Sequence, residues 1–173
     1  MQPLGVPEPV SIDRAAVGRC FGCGHANEQG LRMTFTRYGD GTIESRHLTD
    51  PHHCGVDTVV HGGIQATMLD ETMGVAAQLG LADHAGNAPC VTAEMQLVYR
   101  RPVPIADEVV VRARLRKVDG RDLYVEGRSS IPMASHSPLQ RRVGASCARC
   151  PSSEARLGVS RRRSPFRCRS RPA

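Results

Sequence analysis

The chain has 173 residues, a length that suits one domain with short appendages. Aromatic residues are 3% of it and Trp is absent, so a core must rest on Val, Leu, Ile, Met and Ala; no apolar run is long enough to cross a bilayer. The net charge of +6 is unevenly placed: residues 132–173 hold ten of the 23 basic residues and one of the 17 acidic ones, so that segment is +9 and the rest −3, which leaves no basic folded domain for nucleic acid.

Residues 1–30 read as an extended leader with Pro3, Pro7 and Pro9, and nothing in it resembles a secretion signal. The seven cysteines, odd in number, are then expected as thiols in a reducing cytoplasm. The leader ends in Cys20-Phe-Gly-Cys23-Gly-His25. A Cys-x-x-Cys pair is half a zinc site, and Cys147-Ala-Arg-Cys150 could complete it. That second pair is remote, so packing cysteines in a Gly-flanked turn are the preferred reading, with no metal and no cofactor expected.

Residues 31–131 carry the pattern of the folded domain. Leu31, Met33 and Phe35 alternate with polar residues, Tyr38-Gly-Asp-Gly turns the chain, and Thr42 to Leu48 returns, which predicts a hairpin. Residues 49–60 form a loop with His52, His53 and Cys54. Adjacent side chains rarely point at one ion, so a substrate-lining role, above all for His53, is preferred over metal binding.

Next comes His61-Gly-Gly-Ile-Gln-Ala-Thr-Met-Leu-Asp70-Glu71-Thr-Met-Gly74. Ile64, Met68, Val75 and Leu79 fall at helical spacing, and Leu69, Met73 and Ala76 widen the stripe, which predicts a buried helix from about Gly62 to Leu81. Its first N–H groups lack intrahelical partners and lie at the positive end of the peptide dipoles. Gly62 and Gly63 let a ligand approach that backbone. Such an end suits a developing oxyanion, and a carboxylate two turns on can activate water or attack a carbonyl carbon. The plainer alternative is a glycine turn before a core helix, with Asp70 satisfied locally.

After a loop with Gly86, Asn87 and Pro89, three strands follow: Val91 to Tyr99, Val109 to Arg116, and a strand from Leu123 fading near Ile131. The order β-β-α-β-β-β predicts an α+β layer fold, one long helix against a curved antiparallel sheet. From Pro132 the period of two stops. Residues 132–173 are crowded with Arg, Ser, Pro and Cys, with Phe166 the only aromatic, so stacking on bases has little support. An out-of-frame or disordered tail is the preferred expectation.

Taken together, CFGCGHANEQGLRMTF, HHCGVDTVVHGGIQATMLDETMG and CVTAEMQLVYRRPVP resemble the hotdog-fold acyl-CoA thioesterases of the phenylacetate-degradation type over residues 20–131. The resemblance implies a central helix wrapped by the sheet and active sites built where two subunits pair, as a homodimer or a dimer of dimers. It implies Asp70 as general base or nucleophile, the Gly62 N–H as oxyanion donor with His61 beside it, and Thr92 orienting the water. Gly63, His53 and Glu71 would meet substrate, and Arg100, Arg101 and Arg116 the CoA phosphates. The substrate would be an acyl-CoA, with no membrane or nucleic-acid partner. Two departures stand out. Some relatives carry Asn or Gln at the place of Gly55, and the family's final strand, after the position of Ile131, is lost here. Two other readings fit the same residues: a hotdog hydratase or dehydratase acting on an acyl thioester, and a non-catalytic acyl-CoA-binding module.

Overall fold

The computed structural model describes residues 5–12, 17–56, 58–85 and 89–132, and the backbone of 166–170. The expectations about Cys147, Cys150 and the greater part of the tail lie outside the described residues.

One long helix, α1 (Gly62–Ala85), packs against a sheet of strands β1 (Glu8–Pro9), β2 (Phe35–Arg37), β3 (Ile43–Leu48), β6 (Cys90–Met95), β7 (Glu108–Asp119), β8 (Asp122–Ser130) and β9 (Phe166–Ser170). A separate two-stranded ribbon joins β4 (Cys54–Val56) to β5 (Val59–Val60). The sheet order is β1-β2-β3-β7-β8-β9-β6, and every pairing is antiparallel. This is the expected α+β hotdog architecture.

The long central strands follow the sequence pattern closely. Ile43 faces Ala113, Ser45 faces Val111, and the neighbouring Glu44 faces Arg112. Successive side chains on a strand point to opposite faces. Ile43, Val109, Val111, Ala113, Leu123 and Val125 are accordingly buried in the core. On the other face, buried Glu44 accepts from Arg112 Nε at 2.6 Å and Arg46 Nε at 2.9 Å, so its charge is compensated where it is desolvated.

Four features differ from expectation. The buried stripe of α1 runs through Gln65, Met68, Leu69, Thr72, Met73, Ala76, Ala77 and Leu81. Ile64, Val75 and Leu79 are only partly buried, because the sheet covers one side of the helix. Leu31 and Met33 keep their alternating burial but lie outside the strand. Their N–H groups donate to Phe21 O and Gly22 O, so they hold the cysteine turn rather than extend the hairpin. The strand expected to reach Tyr99 ends at Met95. Finally, the strand expected to be lost is supplied from the tail: β9 sits between β8 and β6. Without it, β6 and Asp122–Tyr124 of β8 would each present a row of unpaired backbone groups.

No helix among the described residues is long and apolar enough to cross a membrane.

Candidate active site

The start of α1 is built by a short stretch of backbone bookkeeping. The His61 N–H donates to His53 O at 2.8 Å, which ties the helix entrance to the loop before it. His61 O accepts from Ile64 N–H and Gln65 N–H. The Gly63 N–H is taken by His61 Nδ1 at 2.9 Å. An imidazole accepting at Nδ1 carries its proton on Nε2 when neutral. The Gly62 N–H is left with no acceptor among the described residues. It is thus the one amide of this turn available to an oxyanion.

Tyr99 frames the same point. Its hydroxyl donates to Gly62 O at 2.9 Å, and a Cβ placed on Gly62 would lie 3.6 Å from the Tyr99 ring. Sequence reasoning missed this residue, treating it only as the end of a strand. The available signal was an aromatic, one of three Tyr, just before the Arg100-Arg101-Pro102 break.

Asp70 lies two turns into α1, on its half-exposed flank. The Thr92 hydroxyl, from β6, donates to Asp70 Oδ1 at 2.7 Å. Asp70 Oδ2 has no hydrogen-bond partner among the described residues. The contact fixes one carboxylate oxygen and leaves its twin open to solvent. Asp70 is therefore not sealed in hydrocarbon.

The other expected site residues are distributed unequally. His53 closes a capping box with Asp50 around a short 3-10 turn, Pro51–His53, its Nδ1 accepting from the Asp50 N–H at 3.0 Å. Its ring stacks obliquely on His47, centroids 5.2 Å apart. Burial holds both imidazoles below their usual value, with the His53 charge adding to the effect on His47 and Asp50 opposing it on His53. A Cβ at Gly55 would come within 2.9 Å of His61 Cα, so a side chain here would displace His61. Arg100 and Arg101 are exposed beside Tyr99. Arg116 pairs with Glu126 at 2.7 Å and borders a cavity of about 350 Å³ near Asp83 and His84, the opposite end of α1 from Gly62.

Glu71 goes the other way. Consecutive helix positions are about 100° apart, and its carboxylate meets the cysteine turn: Cys20 Sγ donates to Glu71 Oε1 at 2.9 Å. Cys23 is buried in the same cluster, and burial, with the Glu71 carboxylate next to it, pushes its thiol well up. Asp70 and Glu71, adjacent in sequence, thus serve different surroundings.

Residues 57–128 match the thioesterase superfamily. Acyl-coenzyme A thioesterase THEM4 of Mus musculus is 36% identical over 102 residues, which are 57% of this chain and 41% of that protein. The Bos taurus protein of the same name is 35% identical over 123 residues, 69% of this chain and 47% of that protein. The chain therefore spans less than half the length of these relatives. Zebrafish thioesterase superfamily member 2 superposes with a TM-score of 0.55 at 18% identity, covering 73% of this chain and 91% of that one. The Escherichia coli PaaI protein from the phenylacetic acid degradation operon gives 0.52 at 12% identity, covering 61% of this chain and 72% of that one. At those identities the two structures show the fold alone.

Proposed function

We propose that this chain, whose residues 57–128 match the thioesterase superfamily, hydrolyses an acyl-CoA to a free acid and CoA. The observation that carries the reading is the pairing of two groups on one helix. Asp70 has one oxygen held by Thr92 and the other open, and Gly62 keeps an uncommitted N–H. The names of the Mus musculus and Bos taurus relatives point to the same substrate class.

The reaction follows from the chemistry of a thioester. Asp70 Oδ2 takes a proton from water as the water oxygen bonds to the carbonyl carbon. The carbonyl oxygen becomes an oxyanion, held by the Gly62 N–H at the positive end of α1. The intermediate collapses by breaking the C–S bond, the electron pair leaves on sulfur as the CoA thiolate, and the proton moves on to it. The polarised carbonyl needs one donor, and one well-placed donor is worth about 3 kcal/mol of barrier.

Distance argues that these two groups serve one substrate from different copies of the chain. From Gly62 to Asp70 is about 12 Å along the axis at 1.5 Å per residue. Donor, carbonyl, water and carboxylate oxygen reach only about 10 Å even when every atom lies on one line, so one helix could serve both ends only at full stretch. Setting Asp70 of one copy against Gly62 of a second removes that demand. The β6 edge and the segment after it suit such pairing: Val91, Val98 and Tyr99 are 53%, 44% and 50% exposed and give it an apolar surface.

The test is thiol release by the purified full chain from a panel of short, medium and aromatic acyl-CoAs. Turnover that disappears in Asp70→Asn supports the proposal. A change at an enoyl double bond with no thiol released would replace it with the hydratase reading, and binding without turnover would replace it with the acyl-CoA-binding module.

A further inference from the structure

The CFGCG turn and Glu71 take no part in the chemistry above, yet they meet across 51 residues of sequence. We infer that Cys20, Cys23 and Glu71 form a binding site for a divalent cation of the zinc class, set on a different flank of α1 from Asp70. The inference stands apart from the hydrolase reading and departs from the sequence-based expectation that these cysteines only pack.

Two Sγ atoms and one carboxylate oxygen lie within 4.8 Å of one another. The backbone is shaped to bring them there. Gly24 is so close to the start of the turn that a Cβ would sit 2.5 Å from the Cys20 N and O. A Cβ on Gly22 would fall 2.0 Å from Glu71 Cγ, so the turn presses its bare backbone onto the glutamate. Backbone bonds from Leu31 and Met33 to Phe21 O and Gly22 O hold the turn in place. Ligands delivered by two rigid elements are what a pre-set metal site requires.

The donor set selects the ion. Two thiolates with a carboxylate suit Zn²⁺, whereas Mg²⁺ and Ca²⁺ take oxygen ligands throughout. Tetrahedral zinc, with bonds of about 2.3 Å to sulfur and about 2.1 Å to oxygen, sets S and O about 3.6 Å apart. Cys20 Sγ and Glu71 Oε1 are now 2.9 Å apart, the length of a thiol hydrogen bond. Replacing the shared proton by a metal needs an opening of about 0.7 Å on that geometry, within the swing of a glutamate side chain. Cys20 and Glu71 are half-exposed while Cys23 is buried, so the fourth position faces solvent and suits a water. His25, the remaining candidate in the motif, is exposed and lies outside the cluster.

The probe is Co²⁺, then Zn²⁺, titrated into the reduced full-length chain. One equivalent of Co²⁺ should give a thiolate-to-cobalt charge-transfer absorption that Zn²⁺ displaces. Cys20→Ser and Cys23→Ser should each abolish it, Glu71→Gln should weaken binding about tenfold or more, and Cys54→Ser should leave it intact. An independent readout needs no variant: Zn²⁺ should slow alkylation of Cys20 while the exposed Cys54 reacts as before, mapped by mass spectrometry. The site is refuted if wild type gives no thiolate band, if Cys20 alkylates equally with and without Zn²⁺, or if the band survives Cys20→Ser. Loss of the band in a Cys147→Ser, Cys150→Ser double variant would also refute it, in favour of a four-cysteine site.

Discussion

The two flanks of α1 make an instructive contrast. Asp70 and Glu71 share a helix, a charge and a neighbour, and differ by one step of rotation. On the Asp70 flank a single hydroxyl, from Thr92, holds one carboxylate oxygen, and the surroundings are open. On the Glu71 flank a tight glycine-lined turn packs against the half-exposed carboxylate and presents two thiols to it. The lesson is that a mid-helix acid takes its role from what its flank packs against. A flank with one hydroxyl partner leaves a carboxylate able to exchange protons with water; a flank packed against a turn makes it a partner in a fixed cluster.

Substitutions on each flank should therefore separate function from stability. The largest effect belongs to Asp70→Asn, which keeps the size and the Thr92 contact but removes the base. Its kcat should fall by about 10²–10⁴-fold with little change in KM or in the urea midpoint. Gly62→Pro comes next. Proline fits the first position of a helix and lacks the N–H, so the loss should be about 10²–10³-fold in kcat. Gly62→Ala, which keeps the N–H and puts its Cβ at ordinary contact distance from Tyr99, should lose far less.

On the other flank, Gly22→Ala drives a methyl into Glu71 Cγ. That overpacking should cost about 1–3 kcal/mol in urea unfolding, while kcat falls much less than in Asp70→Asn. An equal loss of kcat in both would show that the flanks are not separable.

The smallest effect is that of acid. Burial lowers the folded-state values of His47 and His53, so the unfolded chain binds protons more readily. Their contribution to stability is complete above about pH 6.5, the ordinary imidazole value, and is lost as pH falls through the folded values. Melting temperatures should drop between pH 7.5 and 5.5, and His47→Gln should flatten that slope. The loss acts on the open flank's entrance, since His53 O holds the His61 N–H.

The sequence pattern made the local parts of this arrangement legible. Alternation from Val109 to Leu115 and at Leu123 and Val125 marked the central strands. The His61-Gly-Gly turn marked the start of α1 within a residue. What escaped were contacts made across the fold. Tyr99 reaches Gly62 over 37 residues and Cys20 reaches Glu71 over 51, and no local period encodes either. Thr92 was singled out only through family resemblance, as the residue that orients the water, and its contact with Asp70 was not anticipated. β9 escaped because five residues in an Arg-rich stretch are too few to set a period against that background. The same brevity hid β1, whose Glu8–Pro9 read as a leader.

The central claim is that Asp70 of one copy and the Gly62 amide of another act on one thioester. Mixing purified Asp70→Asn and Gly62→Pro chains, exchanged by mild denaturation and refolding, tests it directly. Each variant alone should be nearly inactive. In a mixed pair one of the two sites receives both intact groups, so about a quarter of wild-type thiol release should return. A mixture no more active than the two variants measured apart would contradict the claim.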